Sequence, residues 1–146
     1  MKELAWELGE TSRIMRRYYD RGVAALGVTT AQWRVLLRLA REPGLKQVEL
    51  AERMDVEPIT ACRIVDRLEE AGLVERLRDP EDRRAWRLEL TGKAEPLVKQ
   101  LGSIAEEMSA EAFAELSEQE IETVRSCLAR IRDSVGRAEA AQKGAA

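Results

Sequence analysis

Residues 43–91 read PGLKQVELAERMDVEPITACRIVDRLEEAGLVERLRDPEDRRAWRLELT, and the fold is decided by this stretch. A short amphipathic segment, about Lys46 to Met54, carries Val48, Leu50, Ala51 and Met54 as its apolar set. Pro58 suits the first turn of a second helix, where the missing N–H has no partner to lose. Within that helix Ala61, Ile64, Val65 and Leu68 fall at i, i+3, i+4 and i+7, a core stripe, and Gly72 ends it. Leu73–Leu77 and Trp86–Leu90 then alternate as strands, with Arg78–Ala85 between them as a turn-rich hairpin tip. Two short helices followed at once by a two-stranded hairpin form a winged helix-turn-helix order.

The flanks are helical. A first helix is expected from about Leu4 to Leu26, with Leu4, Leu8, Thr11, Met15, Tyr18 and Gly22 along one stripe and Gly27 as its stop. Thr29 and Thr30 are N-caps for a helix ending near Glu42, with Trp33, Leu36, Leu37 and Ala40 inward. After Thr91 one seam runs Leu97, Leu101, Ile104, Met108. Another runs Leu116, Ile121, Val124, Leu128, Ile131, Val135, entered through Ser117 with Glu120 in capping-box spacing. Near-heptad spacing in the last seam suits a partner helix. Pro96 lies past the first turn if Thr91 is the cap, so that helix either starts later or kinks. The fold class is mainly α with a small β-hairpin wing.

Composition narrows the function. The 146 residues suffice for one compact domain, or one domain with an extension. No histidine is present, which excludes Ser-His-Asp, Cys-His and His-based zinc chemistry. Carboxylates abound, but none stands isolated on an apolar background that would raise its pKa, so an enzyme is not expected, and neither is a cofactor or metal. Cys62 and Cys127 are too few for a disulfide framework. No stretch approaches the roughly 20 apolar residues of a membrane helix, and the N-terminus does not read as a signal peptide, so a cytoplasmic chain is expected.

A net charge of −3 argues at first sight against nucleic acid. The distribution argues otherwise. Residues 1–44 are net basic, 19 of the 24 cationic side chains are arginine, and arginine's planar fork suits phosphates and guanine edges. The face of the 58–71 helix away from its core stripe holds Glu57, Pro58, Ile59, Thr60, Cys62, Arg63, Asp66 and Arg67. Arg63 and Arg67 can pair with guanine or clamp phosphate, and Thr60 can meet a thymine methyl or a backbone oxygen. Arg83 and Arg84 at the hairpin tip can reach an adjacent minor groove. Their neighbours Glu81 and Asp82 offer the plainer alternative of a local surface ion-pair cluster.

The same stretch closely resembles the DNA-binding core of MarR-type transcriptional regulators. The matching pieces are Glu49-Leu50-Ala51, Val65-Asp66-Arg67-Leu68-Glu69, Gly72-Leu73-Val74 and, most specifically, Asp79-Pro80-x-Asp82-Arg83-Arg84 ahead of Leu90-Thr91. Thr30-x-Gln32-Trp33-x-Val35-Leu36 resembles that family's second helix. The resemblance implies a homodimer on double-stranded DNA, each protomer placing one recognition helix and one wing on half of a pseudo-palindromic operator. By position, Asp82 would orient Arg84 and Arg84 would enter the minor groove.

The resemblance also implies a division into residues 1–27 (N-terminal dimerisation helix), 28–91 (DNA-binding lobe) and 92–136 (C-terminal dimerisation helices), and the small, polar composition of 137–146 reads as a flexible tail. Many members bind small aromatic or phenolic molecules, and Met15, Trp33 and Met108 are the candidate pocket residues, although each also reads as packing. Other members sense oxidants, for which Cys62 is the candidate here. The function so implied is a repressor released by a small aromatic or lipophilic ligand. Its rivals are a cysteine-based redox regulator and a winged-helix protein-interaction module that has given up DNA.

Overall fold

A computed structural model describes residues 1–144, apart from the side chain of Lys143. In chain order the helices are α1 (Lys2–Val23), α2 (Thr30–Arg41), α3 (Gln47–Met54), α4 (Pro58–Glu70), α5 (Glu95–Ala112) and α6 (Glu118–Gly144); strands β1 (Val74–Arg78) and β2 (Trp86–Leu90) stand between α4 and α5. The chain divides into two units, residues 1–108 and 109–146.

In the first unit α1 gives way to a 3-10 turn at Ala24–Leu26, which Gly27 ends at φ +69°. Helix α2 opens on a complete capping box: the Thr29 hydroxyl accepts from the Gln32 N–H at 3.2 Å, and the Thr29 N–H donates to the Gln32 side chain at 3.0 Å. Asp20 ties α1 to α2, because one carboxylate oxygen accepts from both the Thr30 hydroxyl and Trp33 Nε1, each at 2.8 Å. Helix α4 ends in a Schellman motif. Gly72 N–H donates to Glu69 C=O, Leu73 N–H donates to Leu68 C=O, and Gly72 sits at φ +72°. That motif claims Leu73, so β1 begins one residue later than alternation alone suggests.

Strands β1 and β2 pair antiparallel, with Val74 opposite Leu90 and Arg78 opposite Trp86. The hairpin gains a third edge from the entry to α3. Leu88 N–H donates to Leu45 C=O at 3.0 Å, and Lys46 bridges Arg87. The core of the unit lies under this sheet and between α2, α3 and α4, with Leu36, Leu50, Leu68 and Leu88 fully buried. Burial of each such side chain contributes about 1.5–3 kcal/mol.

Two inward assignments need correction. Ala40 is exposed, and Val35 and Leu39 are buried instead. Val48 is 62% exposed, leaving Leu50, Ala51 and Met54 as the buried face of α3. In a short helix the apolar stripe can be read one position out of phase, and the neighbouring elements decide which phase is covered.

After the wing, a 3-10 turn at Gly92–Ala94 precedes α5, so the helix starts later and Pro96 falls within its first turn, where no N–H is required. Leu101 is buried and Leu97, Ile104 and Met108 are half-buried, as their spacing predicts. Gly22 allows a close approach here: a Cβ on it would lie 2.0 Å from Met108 Sδ.

In the second unit Ser117 and Glu120 form the expected capping box ahead of α6. Val124, Ile131 and Val135 on this helix are exposed. Where a flexible tail is expected from residue 137, α6 continues to Gly144. The run Ala138, Glu139, Ala140, Ala141, Gln142 is rich in strong helix formers and carries the helix past Gly136. Residues 145 and 146 lie outside the described part. No helix among the described residues is long and apolar enough to cross a membrane.

Candidate nucleic-acid interface

Helix α4 buries Ala61, Val65 and Leu68 and leaves Pro58, Ile59, Thr60, Arg63 and Arg67 exposed. Helix α3 braces it through a tight turn in which Asp55 adopts φ +53° and Val56 N–H donates to Ala51 C=O at 3.1 Å. Pro58 stands at the first position of α4, and the Glu57 carbonyl accepts from both Thr60 and Ala61 N–H, at 2.9 and 3.1 Å. Arg63, Arg67 and Thr60 converge with Thr29 and Gln32, from the start of α2, on a shallow crevice of about 130 Å³.

The wing tip is built around Asp79, which the sequence motif contains but to which the motif alone gives no role. Asp79 is 6% exposed. Its Oδ1 accepts the Glu81 and Asp82 N–H groups at 2.8 and 2.9 Å, an Asx-type turn, while Lys46 Nζ and Arg87 Nε lie 3.7 and 3.8 Å from its Oδ2. The hydrogen bond from Glu81 N–H is the leading cause that holds the Asp79 carboxyl below the usual range, against the opposing effect of burial, with Asp82 N–H, Lys46 and Arg87 adding to it. Asp82 repeats the device one turn on, accepting the Arg84 N–H at 3.0 Å. Its contact with Arg84 is therefore to the main chain, not to the guanidinium. Arg78 closes the tip: its guanidinium stacks 3.9 Å from the Trp86 ring centre and donates to Arg83 C=O at 2.9 Å. Arg83 and Arg84 are left exposed at the end of a turn pinned from several directions.

A missed residue joins wing to helix. Arg76, on β1, donates to Asp66 at 2.6 Å and to Glu69 at 2.5 Å on α4, to Gln47 Oε1 at 2.8 Å on α3, and to the Cys62 carbonyl at 3.3 Å. Burial works against its charge, but the hydrogen bonds and charges of Asp66 and Glu69 prevail and raise its pKa. Period two was the available signal: Arg76 lies on the same side of β1 as buried Val74, so it had to meet carboxylates. The finding also moves Asp66 and Cys62, which the sequence reading grouped with the arginines. Both are half-buried toward Arg76, with Cys62 Sγ 3.8 Å from Arg76 Nη2.

The candidate pocket residues have packing partners. Trp33 is held by Asp20 and lies 6.4 Å, ring centre to ring centre, from Tyr19. Met108 packs over Gly22, and Met15 is half-buried on α1.

The geometry is that of a winged helix, and the comparisons agree with it. The family model described as MarR family matches residues 28–86. A crystal structure of MarR is 34% identical over 93% of this chain and 92% of its own, with a TM-score of 0.79. The chain belongs to the MarR family. The transcriptional regulator PA3341 is 37% identical over 92% of this chain and 98% of its own, TM-score 0.85. A cysteine-to-serine mutant of MarR from E. coli, complexed with operator DNA, is 25% identical over 88% of this chain and 93% of its own, TM-score 0.75. Members of the MarR family are DNA-binding transcriptional regulators and not enzymes.

Proposed function

We propose that this MarR-family chain is a homodimeric repressor that reads a pseudo-palindromic operator and is released by a small aromatic or lipophilic molecule. The observation that carries the DNA-reading part is the placement of its arginines. Arg63 and Arg67 stand exposed on α4, and Arg83 and Arg84 stand exposed on a turn braced against the same lobe. In this reading Arg63 addresses base edges, Arg67 and Thr60 the backbone, and Arg84 the minor groove. The acidic total is no obstacle, because Asp66 and Glu69 are engaged by Arg76, and Asp79 by the wing itself.

Apolar faces on two helices support the dimer. Leu4 and Leu8 on α1, and Val124, Ile131 and Val135 on α6, are exposed large apolar side chains of the kind a two-fold partner covers. The releasing molecule is assigned to the neighbourhood of Met15, Trp33 and Met108. It acts by favouring dimers whose recognition helices are not spaced near one DNA turn, ~34 Å.

Fluorescence anisotropy on the intergenic DNA flanking the gene tests this. Affinity is expected to fall steeply with added salt. Arg84→Ala should weaken binding and reduce the salt slope by about 0.9 per half-site, about 1.8 for the dimer. Arg63→Ala should lose about 1–3 kcal/mol per half-site and relax preference at one base position in each. Salt-independent binding, or two variants that both bind as the wild type does, would sink this assignment and favour the interaction-module reading.

A further inference from the structure

The recognition helix opens with an apolar side chain that packing does not use. Ile59 is the second residue of α4 and is 61% exposed, whereas the core stripe of that helix runs through Ala61, Val65 and Leu68. An exposed isoleucine is ordinary by itself. The position of this one is informative. Ile59, Arg63 and Arg67 are spaced four residues apart, so they stack along a single face of α4, and both arginines are exposed on it.

The turn that carries Ile59 is stiff. Pro58 fixes the backbone before it, and the Glu57 carbonyl is shared by the next two N–H groups. Branching at Cβ restricts a helical isoleucine to one strongly preferred χ1 rotamer. A rigid, branched hydrocarbon is thus held out at the end of a recognition helix whose first residues are the ones that reach base edges. It offers no hydrogen bond, so it cannot read a donor or acceptor. In the major groove the apolar mark on a base edge is the C5 methyl group of thymine.

We propose that Ile59 is a specificity-determining residue that selects thymine by burying its 5-methyl group. The inference rests on the reading of α4 as the DNA-contacting helix, and it assigns to the first turn a preference that arginine contacts alone do not supply.

The test separates the two. An operator is selected from randomised duplexes with the full-length protein, and each thymine in it is replaced in turn by deoxyuridine, which lacks only the methyl group. The wild type should lose about three- to fivefold in affinity at one position per half-site, the effect of one buried methyl. Ile59→Ala should bind more weakly and should no longer distinguish thymine from deoxyuridine there, with unchanged thermal unfolding. Wild-type binding indifferent to every deoxyuridine overturns the inference and leaves the DNA reading standing. So does an Ile59→Ala protein that keeps the same deoxyuridine penalty. Failure of the wild type to select any sequence overturns both.

Discussion

Arg76→Met is expected to weaken operator binding on the order of a hundredfold, although Arg76 itself is placed behind the DNA-facing surface. Its side chain is 13% exposed, and those of Asp66 and Glu69 are 49% and 43% exposed. Breaking a fully buried pair costs about 3–5 kcal/mol, and the half-exposed carboxylates screen this to about 1–3 kcal/mol of folding stability. Two further effects fall on binding. Two carboxylates on the helix proposed to face DNA lose their counter-charge, and β1 loses its tie to α4 and to Gln47 on α3. Charge restoration separates the causes. Arg76→Met combined with Asp66→Asn and Glu69→Gln removes the uncovered charges, so it should regain most of the lost affinity and show a steeper salt dependence than Arg76→Met alone. A triple variant that binds no better than Arg76→Met would show that the electrostatic account is wrong.

Asp79→Ala should weaken binding about tenfold, by freeing the turn that presents Arg83 and Arg84. The carboxylate is the acceptor around which Glu81 and Asp82 fold back, and alanine leaves both N–H groups and Lys46 without it. Asp79→Asn keeps the shape and one acceptor oxygen, so it should lose less.

A pH dependence follows. The folded-state pKa of Asp79 is depressed, so its contribution is complete above the unfolded value of about 3.9 and is lost as pH falls through the folded value. Thermal unfolding of the wild type from pH 6 down to pH 2 should therefore show an acid-sensitive component that Asp79→Asn lacks. Superimposable pH profiles would rule this out.

The partners of the two residues on which these predictions turn are the least legible part of the sequence, and the reason is separation. Arg76 meets partners 7, 10 and 29 residues away. Asp79 meets Lys46 on the far side of two helices in sequence. Local pattern reaches three or four residues along a helix and two along a strand, so what it could identify it identified well. Pro58, the 61-64-65-68 stripe and Gly72 bounded α4, and alternation placed β2 on Trp86–Leu90. The same locality explains the slips at Ala40 and Val48, where only the neighbouring element decides which flank of a helix is covered. Arg63, Arg67, Arg83 and Arg84 were readable because exposure is the default for arginine. Cys62 and Asp66 were misplaced because a partner from another strand turned them inward.

The Leu45–Leu88 hydrogen bond and the Lys46–Arg87 bridge have a mechanical consequence. They fasten the root of the wing to the start of α3, so its amides should exchange with solvent only when the whole lobe opens. Among the described residues the tip beyond Asp79 is held by its own turn, by the Arg78 guanidinium on Arg83 C=O and by the Lys46 and Arg87 ion pairs, with no backbone bond to α3. A root held by backbone bonds and a tip held mainly by side chains behave as a cantilever. The arginines can follow a groove that narrows or widens from one DNA sequence to the next, while the helix at the root keeps its alignment.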